Sequence, residues 1–192
     1  MRYSADHKAQ TRERIVKEAA ARFRKDGIGA TGLQPLMKAL GLTHGGFYAH
    51  FKSKDDLVET ALRSACDEMG HLVADKFAQD KPLESFIDMY LSAAHREHPE
   101  RGCPLPTMAA ELGQRGEPSP AVDITVQRRL ALMAEALGGG QIADQQSVVM
   151  LATLVGALVL SRSVDDQDFA ARILDTAREA LKTQARATAD TP

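Results

Sequence analysis

Apolar residues along this chain recur at three- and four-residue intervals, and nowhere do they alternate with polar ones as in a half-buried strand. In residues 11–25, Ile15, Ala19 and Phe23 stand four apart, with Val16 and Ala20 widening the stripe. Gly27 and Gly29 follow, where a helix C-cap belongs. A short helix is predicted over 33–40, with Leu33, Leu36, Met37 and Leu40 on one face. Pro35 sits in its first turn, where an N–H is not needed. Gly41 closes it. Thr43 is suited to cap a third helix running to about Phe51, and Ser53 a long fourth one to about Phe77. Ser53 to Asp56 reads as a capping box with aspartate in the glutamate position. Asp80-Lys81-Pro82, Pro99, Pro118 with Pro120, and Gly138-Gly139-Gly140 then punctuate helices over 83–98, 104–114, 121–137, 143–162 and 167–185. The expectation is an all-α fold of about nine helices with no internal repeat, ending in a disordered tail, TADTP.

The chain has 192 residues, enough for one domain or two small ones, and its 44% hydrophobic and 26% charged residues are those of an ordinary globular protein. Its most apolar run, 148–160, is shorter than the ~18 residues of a membrane span. The charged start MRYSADHKAQTRER does not read as a secretory signal, and Cys66 and Cys103 are too few for a disulfide framework. A cytoplasmic protein with no membrane role is expected. The net charge of −2 hides an asymmetry. Residues 1–66 carry 12 Lys+Arg against 7 Asp+Glu, and residues 67–192 carry 12 against 19. A basic start on an acidic remainder suggests a polyanion-binding module, although chance clustering of surface charge gives the same count. The expected division is 1–52 for that module, 53–186 for a helical body and 187–192 for the tail.

Three short helices, the last two joined by Gly41-Leu42-Thr43, describe a helix-turn-helix. In that motif the second helix of the pair enters the major groove and offers its first residues to base edges. Gly45 and Gly46 fall there, although glycine costs about 1 kcal/mol in a helix. Without Cβ atoms the backbone can approach DNA closely; relief of a tight turn or a crowded helix crossing is the alternative. His44, Tyr48, His50, Lys52 and Lys54 surround them. Tyrosine, lysine and backbone N–H groups are common phosphate partners, and His44 is suited to a base edge. Phe47 and Phe51, four apart, are expected to face the core.

The segment ATGLQPLMKALGLTHGGFYAHFKSKDDL resembles the DNA-binding region of the TetR/AcrR family of bacterial repressors. The turn glycine Gly41, the pair Phe47-Tyr48, then Phe51, Ser53-Lys54 and Leu57 all fall in register with its pattern. The resemblance covers about residues 10–60 and implies a homodimer that binds a palindromic operator in double-stranded DNA and lets go when a small ligand fills the C-terminal helices. Family DNA contacts carry over onto Thr31, Thr43, His44, Gly45, Gly46, Tyr48, His50 and Lys54. Gly32, His44 and Gly46 depart from common family residues, which bears on the operator sequence.

VVMLATLVGALVL, residues 148–160, is apolar around its whole circumference and must be buried on all sides. A dimer interface built from Leu151, Leu154, Val155 and Leu158, with Gly156 allowing close approach, satisfies this; so does a central core helix in a monomer. The resemblance implies the interface, because the last two long helices form the family's dimer bundle. Met89, Tyr90, Met108, Leu112 and Met133 are candidates for an adaptable ligand pocket. Cys103 joins them, because Arg101 and a following helix start would both favour a thiolate able to sense an electrophile. Its alternative is a small buried core residue. Glu68 and His71 have the spacing of a di-iron ligand pair, but no second Glu-x-x-His exists to complete one. His95, His98 and Cys103 could reach zinc only in principle. No nucleophile elbow, phosphate loop or dinucleotide fingerprint is present. The expected protein is therefore not an enzyme and needs no metal or cofactor. It is a ligand-responsive DNA-binding regulator, a repressor released by a small apolar or electrophilic inducer. The rival is a helical small-molecule or metal-binding bundle without a DNA role.

Overall fold

The computed structural model describes residues 5–189, and all regular structure among them is helical. In chain order come α1 (Ala5–Asp26), α2 (Leu33–Ala39), a 3-10 turn (Gly45–Ala49), α3 (Lys54–Phe77), α4 (Pro82–Tyr90) and α5 (Ala93–Glu97). A second 3-10 turn (Pro99–Arg101), a π-turn (Leu105–Ala109), α6 (Ala110–Gln114), α7 (Pro120–Ala136), α8 (Gly140–Ser163) and α9 (Gln167–Ala189) complete it. The all-α expectation of about nine helices holds: nine α-helices lie among the described residues. Residues 187–189, expected in a disordered tail, belong to α9, and 190–192 lie outside the described residues.

Local chemistry places the early boundaries. Leu40 and Gly41 end α2 in a Schellman arrangement: Leu42 N–H donates to Met37 O at 2.9 Å and Gly41 N–H to Lys38 O at 3.0 Å. Gly41 sits at φ +70°, a conformation that costs glycine least. A variant of the capping box forms at the start of α3, its return bond shifted by one residue from Ser53 N–H to Lys52 N–H. Ser53 Oγ accepts from Asp56 N–H at 3.1 Å, and the Asp56 carboxylate accepts from Lys52 N–H at 2.9 Å.

Two predicted helices come out differently. The 83–98 helix is broken into α4 and α5 at Leu91-Ser92. Ser92 Oγ donates to Met89 O at 2.9 Å and accepts from His95 N–H at 3.1 Å, so one hydroxyl closes α4 and opens α5. The helix expected from Pro104 begins as a π-turn, where Pro104 O accepts from both Met108 N–H and Ala109 N–H.

The helices form two compact units. The first takes in the segment up to Glu68 together with Pro99–Ala121. Its core holds Ile15, Phe23, Leu36, Met37, Phe47 and Leu57, each fully buried. The central segment is bound to α1 by Arg24, which is only 4% exposed, donates to Gly102 O at 3.2 Å and pairs with Glu68 at 2.8 Å.

The second unit takes in Met69–His98 and the chain from Val122 on. Here α8 packs on α4, α5 and α9. By length and composition α8 could cross a membrane, but Met150, Leu154 and Leu158 are fully buried and set one side of it into the core of this unit. An aromatic cluster lies beneath α4: Phe86 meets Phe77 at 5.5 Å and Tyr90 at 5.6 Å, and the His95 ring stands edge-on to Tyr90 at 4.8 Å.

His95 ties this unit to pH. Its Nδ1–H donates to Tyr90 O at 2.7 Å. Burial lowers its pKa to about 4, against the raising effect of that carbonyl and with help from Arg162 and Arg129. The unfolded chain takes up the proton near 6.5 and the native one near 4, so stability is lost as pH falls through that window. The loss should reach about 3 kcal/mol. Urea unfolding from pH 7 to 4.5 should show it, and His95→Gln should flatten the slope; parallel slopes for both proteins would refute it.

Candidate DNA-binding site

The expected third helix is a single 3-10 turn, Gly45–Ala49, held by Phe47 N–H to His44 O at 3.2 Å and His50 N–H to Phe47 O at 2.9 Å. Two glycines at its head supply too little helical propensity for a longer α-helix. Thr43 does cap it, its Oγ1 accepting from Gly46 N–H at 3.1 Å. Phe47 and Phe51 face inward and stack at 5.5 Å, as their spacing predicts. That anchor turns the opposite side to solvent: Thr43, His44, Gly45 and Lys52 are exposed, and Tyr48 is 60% exposed. Tyr48 stands edge-on to both His44 and Phe47, at 6.0 and 5.2 Å.

Among the described residues, no contact demands a glycine at position 45, and only the Thr43 cap crowds position 46. Neither has positive φ. A Cβ on Gly45 would meet nothing within 4 Å, and one on Gly46 only Thr43 Oγ1 at 3.3 Å. The crowded-crossing alternative therefore finds no contact to support it.

Three anticipated contacts sit otherwise. Thr31 is buried and donates its hydroxyl to Gly27 O at 2.7 Å, so it braces the α1–α2 loop rather than facing solvent. Lys54 donates its ammonium to Ile28 O at 2.6 Å and braces the same loop. His50 is half-buried, its Nδ1 without a hydrogen-bond partner among the described residues. Burial, then Lys8 and Arg12, lower its pKa and favour the neutral ring. Those two cations escaped the sequence reading. Both are exposed on α1, and the Arg12 guanidinium lies 4.8 Å over the Phe51 ring, which brings α1 alongside the 3-10 turn. The N-terminal excess of basic residues was the available signal.

The remaining candidates divide between the units. Cys103, Met108 and Leu112 are buried in the first, Tyr90 and Met133 in the second, where Met89 is half-buried. Cys103 is 2% exposed, as its core alternative requires. Among the described residues no three His, Cys, Asp or Glu side chains group as metal ligands. The interface residues need correction. Leu151, Leu154 and Leu158 pack inside their own unit and only Val155 is half-exposed, because the helix turns that side to α9 and its neighbours. The apolar stripe left open on α8 is Val148, Val149, Ala152, Val155 and Val159.

Residues 15–61 match the sequence model of the bacterial regulatory proteins of the tetR family. The chain is similar to the HTH-type transcriptional regulator TtgR of Pseudomonas putida, with 27% identity across 95% of this chain and 96% of that one. It is 29% identical to the HTH-type transcriptional repressor KstR2 of Mycolicibacterium smegmatis over 44% of this chain and 42% of that one. A TetR transcriptional regulator from Chloroflexus aurantiacus superimposes with a TM-score of 0.78 at 26% identity, covering 93% of this chain and 95% of the other. With its exposed turn on a three-helix base, the chain belongs to the TetR family of DNA-binding, helix-turn-helix transcriptional regulators.

Proposed function

We propose that the protein is a dimeric repressor that docks the Gly45–Ala49 turn into the major groove of a palindromic operator and is released by a small molecule. The observation that carries this is the Gly45-Gly46 pair: exposed or half-exposed, without positive φ, and with open space for a Cβ at Gly45 and only Thr43 Oγ1, at 3.3 Å, near one at Gly46. Close approach of a partner backbone or phosphate is the physical reason left for two residues that weaken a helix. Thr43, His44 and Tyr48 flank the approach, with Lys52, Lys8 and Arg12 as phosphate partners. The open stripe of α8 supports a two-fold dimer, whose two turns would meet half-sites about 34–36 Å apart. Naming of the relative KstR2 as a repressor supports the sign of regulation. Release follows if an inducer binds better to an arrangement that no longer matches that spacing.

A gel-shift titration against the DNA flanking its own gene tests the reading. Tight binding with a two-fold symmetric footprint is expected. Its logarithmic salt slope should be about −0.9 per phosphate neutralised. Binding no tighter than to random duplex would end the proposal. Release through thiol modification would require Cys103 to be uncovered first, given its burial. Normal release by a quinone in Cys103→Ser would exclude that route.

A further inference from the structure

The α1–α2 loop is gripped by a carboxylate from far along the chain. Glu111 on α6 accepts from Ile28 N–H at 2.6 Å through Oε2 and from Gly29 N–H at 2.8 Å through Oε1. Arg115, one turn on, pairs with the same carboxylate. On its other side the loop is held by Lys54 at Ile28 O and by Thr31 at Gly27 O. The loop leads directly into α2, the first helix of the helix-turn-helix. All of these residues lie in the first compact unit.

The glycines of this loop are shaped to the grip. A Cβ on Gly29 would lie 3.0 Å from Glu111 Oε1 and 3.2 Å from the Arg115 guanidinium, and one on Gly27 would lie 3.1 Å from Oε2. Gly27 also has φ +91°, whereas Gly29 has no such constraint, so the carboxylate contact is what singles out Gly29. Burial pushes the Glu111 carboxyl up, but the two amides and Arg115 together outweigh it and leave its pKa below the usual carboxylate value. The charged form is therefore the one that grips. The π-turn Leu105–Ala109 immediately precedes α6. Such a turn carries an extra residue relative to α-helical register, and any change of register there would carry Glu111 off the loop.

We propose that Glu111 is a positioning residue for DNA binding, through which α6 sets the placement of α2 and the Gly45–Ala49 turn. The inference rests on the DNA-binding reading above. Loss of the carboxylate frees the loop and weakens specific binding without touching any residue that faces DNA.

The test uses the full chain and a duplex that the wild-type protein selects from a random pool, with a scrambled duplex as reference. Glu111→Gln keeps the side-chain shape but offers one oxygen to two N–H donors. It should bind the selected duplex on the order of tenfold more weakly, with scrambled-duplex affinity and helical content unchanged. Gly29→Ala should do the same from the other side of the contact. In a Glu111→Ala background the Cβ has room, so adding Gly29→Ala should change affinity by less than about twofold. Should Glu111→Ala fail to fold, the decision rests on Glu111→Gln, in which the Ile28 and Gly29 amides should exchange about tenfold faster. Unchanged specific affinity in Glu111→Gln, or fully additive effects of the two substitutions, overturns the inference while leaving the DNA-binding reading intact. A wild-type chain that selects no duplex removes that reading, and the inference with it.

Discussion

Gly45→Leu should leave the protein folded and dimeric and lower its operator affinity by about a thousandfold, to near the level of random DNA. The position is exposed, and a Cβ there meets nothing within 4 Å, so the folded chain has room for a larger residue. Exposed substitutions of this kind change stability by no more than about 0.5 kcal/mol. In the groove the same side chain would hold the turn away from DNA and break several phosphate and base contacts together. Gly46→Leu should be equally inactive but is a less clean probe. Its Cβ would press on Thr43 Oγ1 at 3.3 Å and disturb a cap worth about 1 kcal/mol. Melting temperature and a gel shift, measured side by side on both variants, decide the matter. If Gly45→Leu binds the operator normally, the turn does not enter the groove.

Val149→Asp should convert the proposed dimer into a folded monomer. Val149 is 57% exposed in the single chain, so a carboxylate there stays hydrated as long as no partner covers it. Burying it at a two-fold interface places two unpaired charges in an apolar stripe. A combined cost of at least about 4 kcal/mol raises the dimer dissociation constant about a thousandfold. Operator binding should fall with it, because one half-site cannot replace two. Leu154→Asp is the contrast: that side chain is fully buried within its own unit, so the variant should fail to fold rather than dissociate. Sedimentation equilibrium separates these outcomes, and a Val149→Asp protein that stays dimeric would move the interface off α8.

What could be read from the residues alone was governed by range. The Ser53 cap on Asp56 N–H, the Gly41 helix stop and the inward Phe47 and Phe51 pair all rest on partners within five residues and all formed as read, while the return bond of the capping box reaches Lys52 N–H instead of Ser53 N–H. Local logic is silent where a side chain has a distant use. Thr31 and Lys54 looked like polar groups waiting for phosphate, yet their donors serve the backbone of the α1–α2 loop, which no spacing rule reveals. Likewise, an α8 that is apolar all round has no polar face to mark its solvent side, so periodicity does not show that, of Leu151, Leu154, Val155 and Leu158, the three leucines pack inside their own unit.

The sequence by itself determined the helical architecture, the helix-turn-helix and the Gly45-Gly46 head of its second element. Each depends on propensity, capping and periodicity, which act over a turn or two of chain. Only the tertiary structure decided that α8 leaves its Val148–Val159 side open and that Glu111 closes on Ile28 and Gly29 from more than 80 positions away. These depend on which surfaces meet across the fold, and such meetings are set by packing between elements rather than by the order of residues within one.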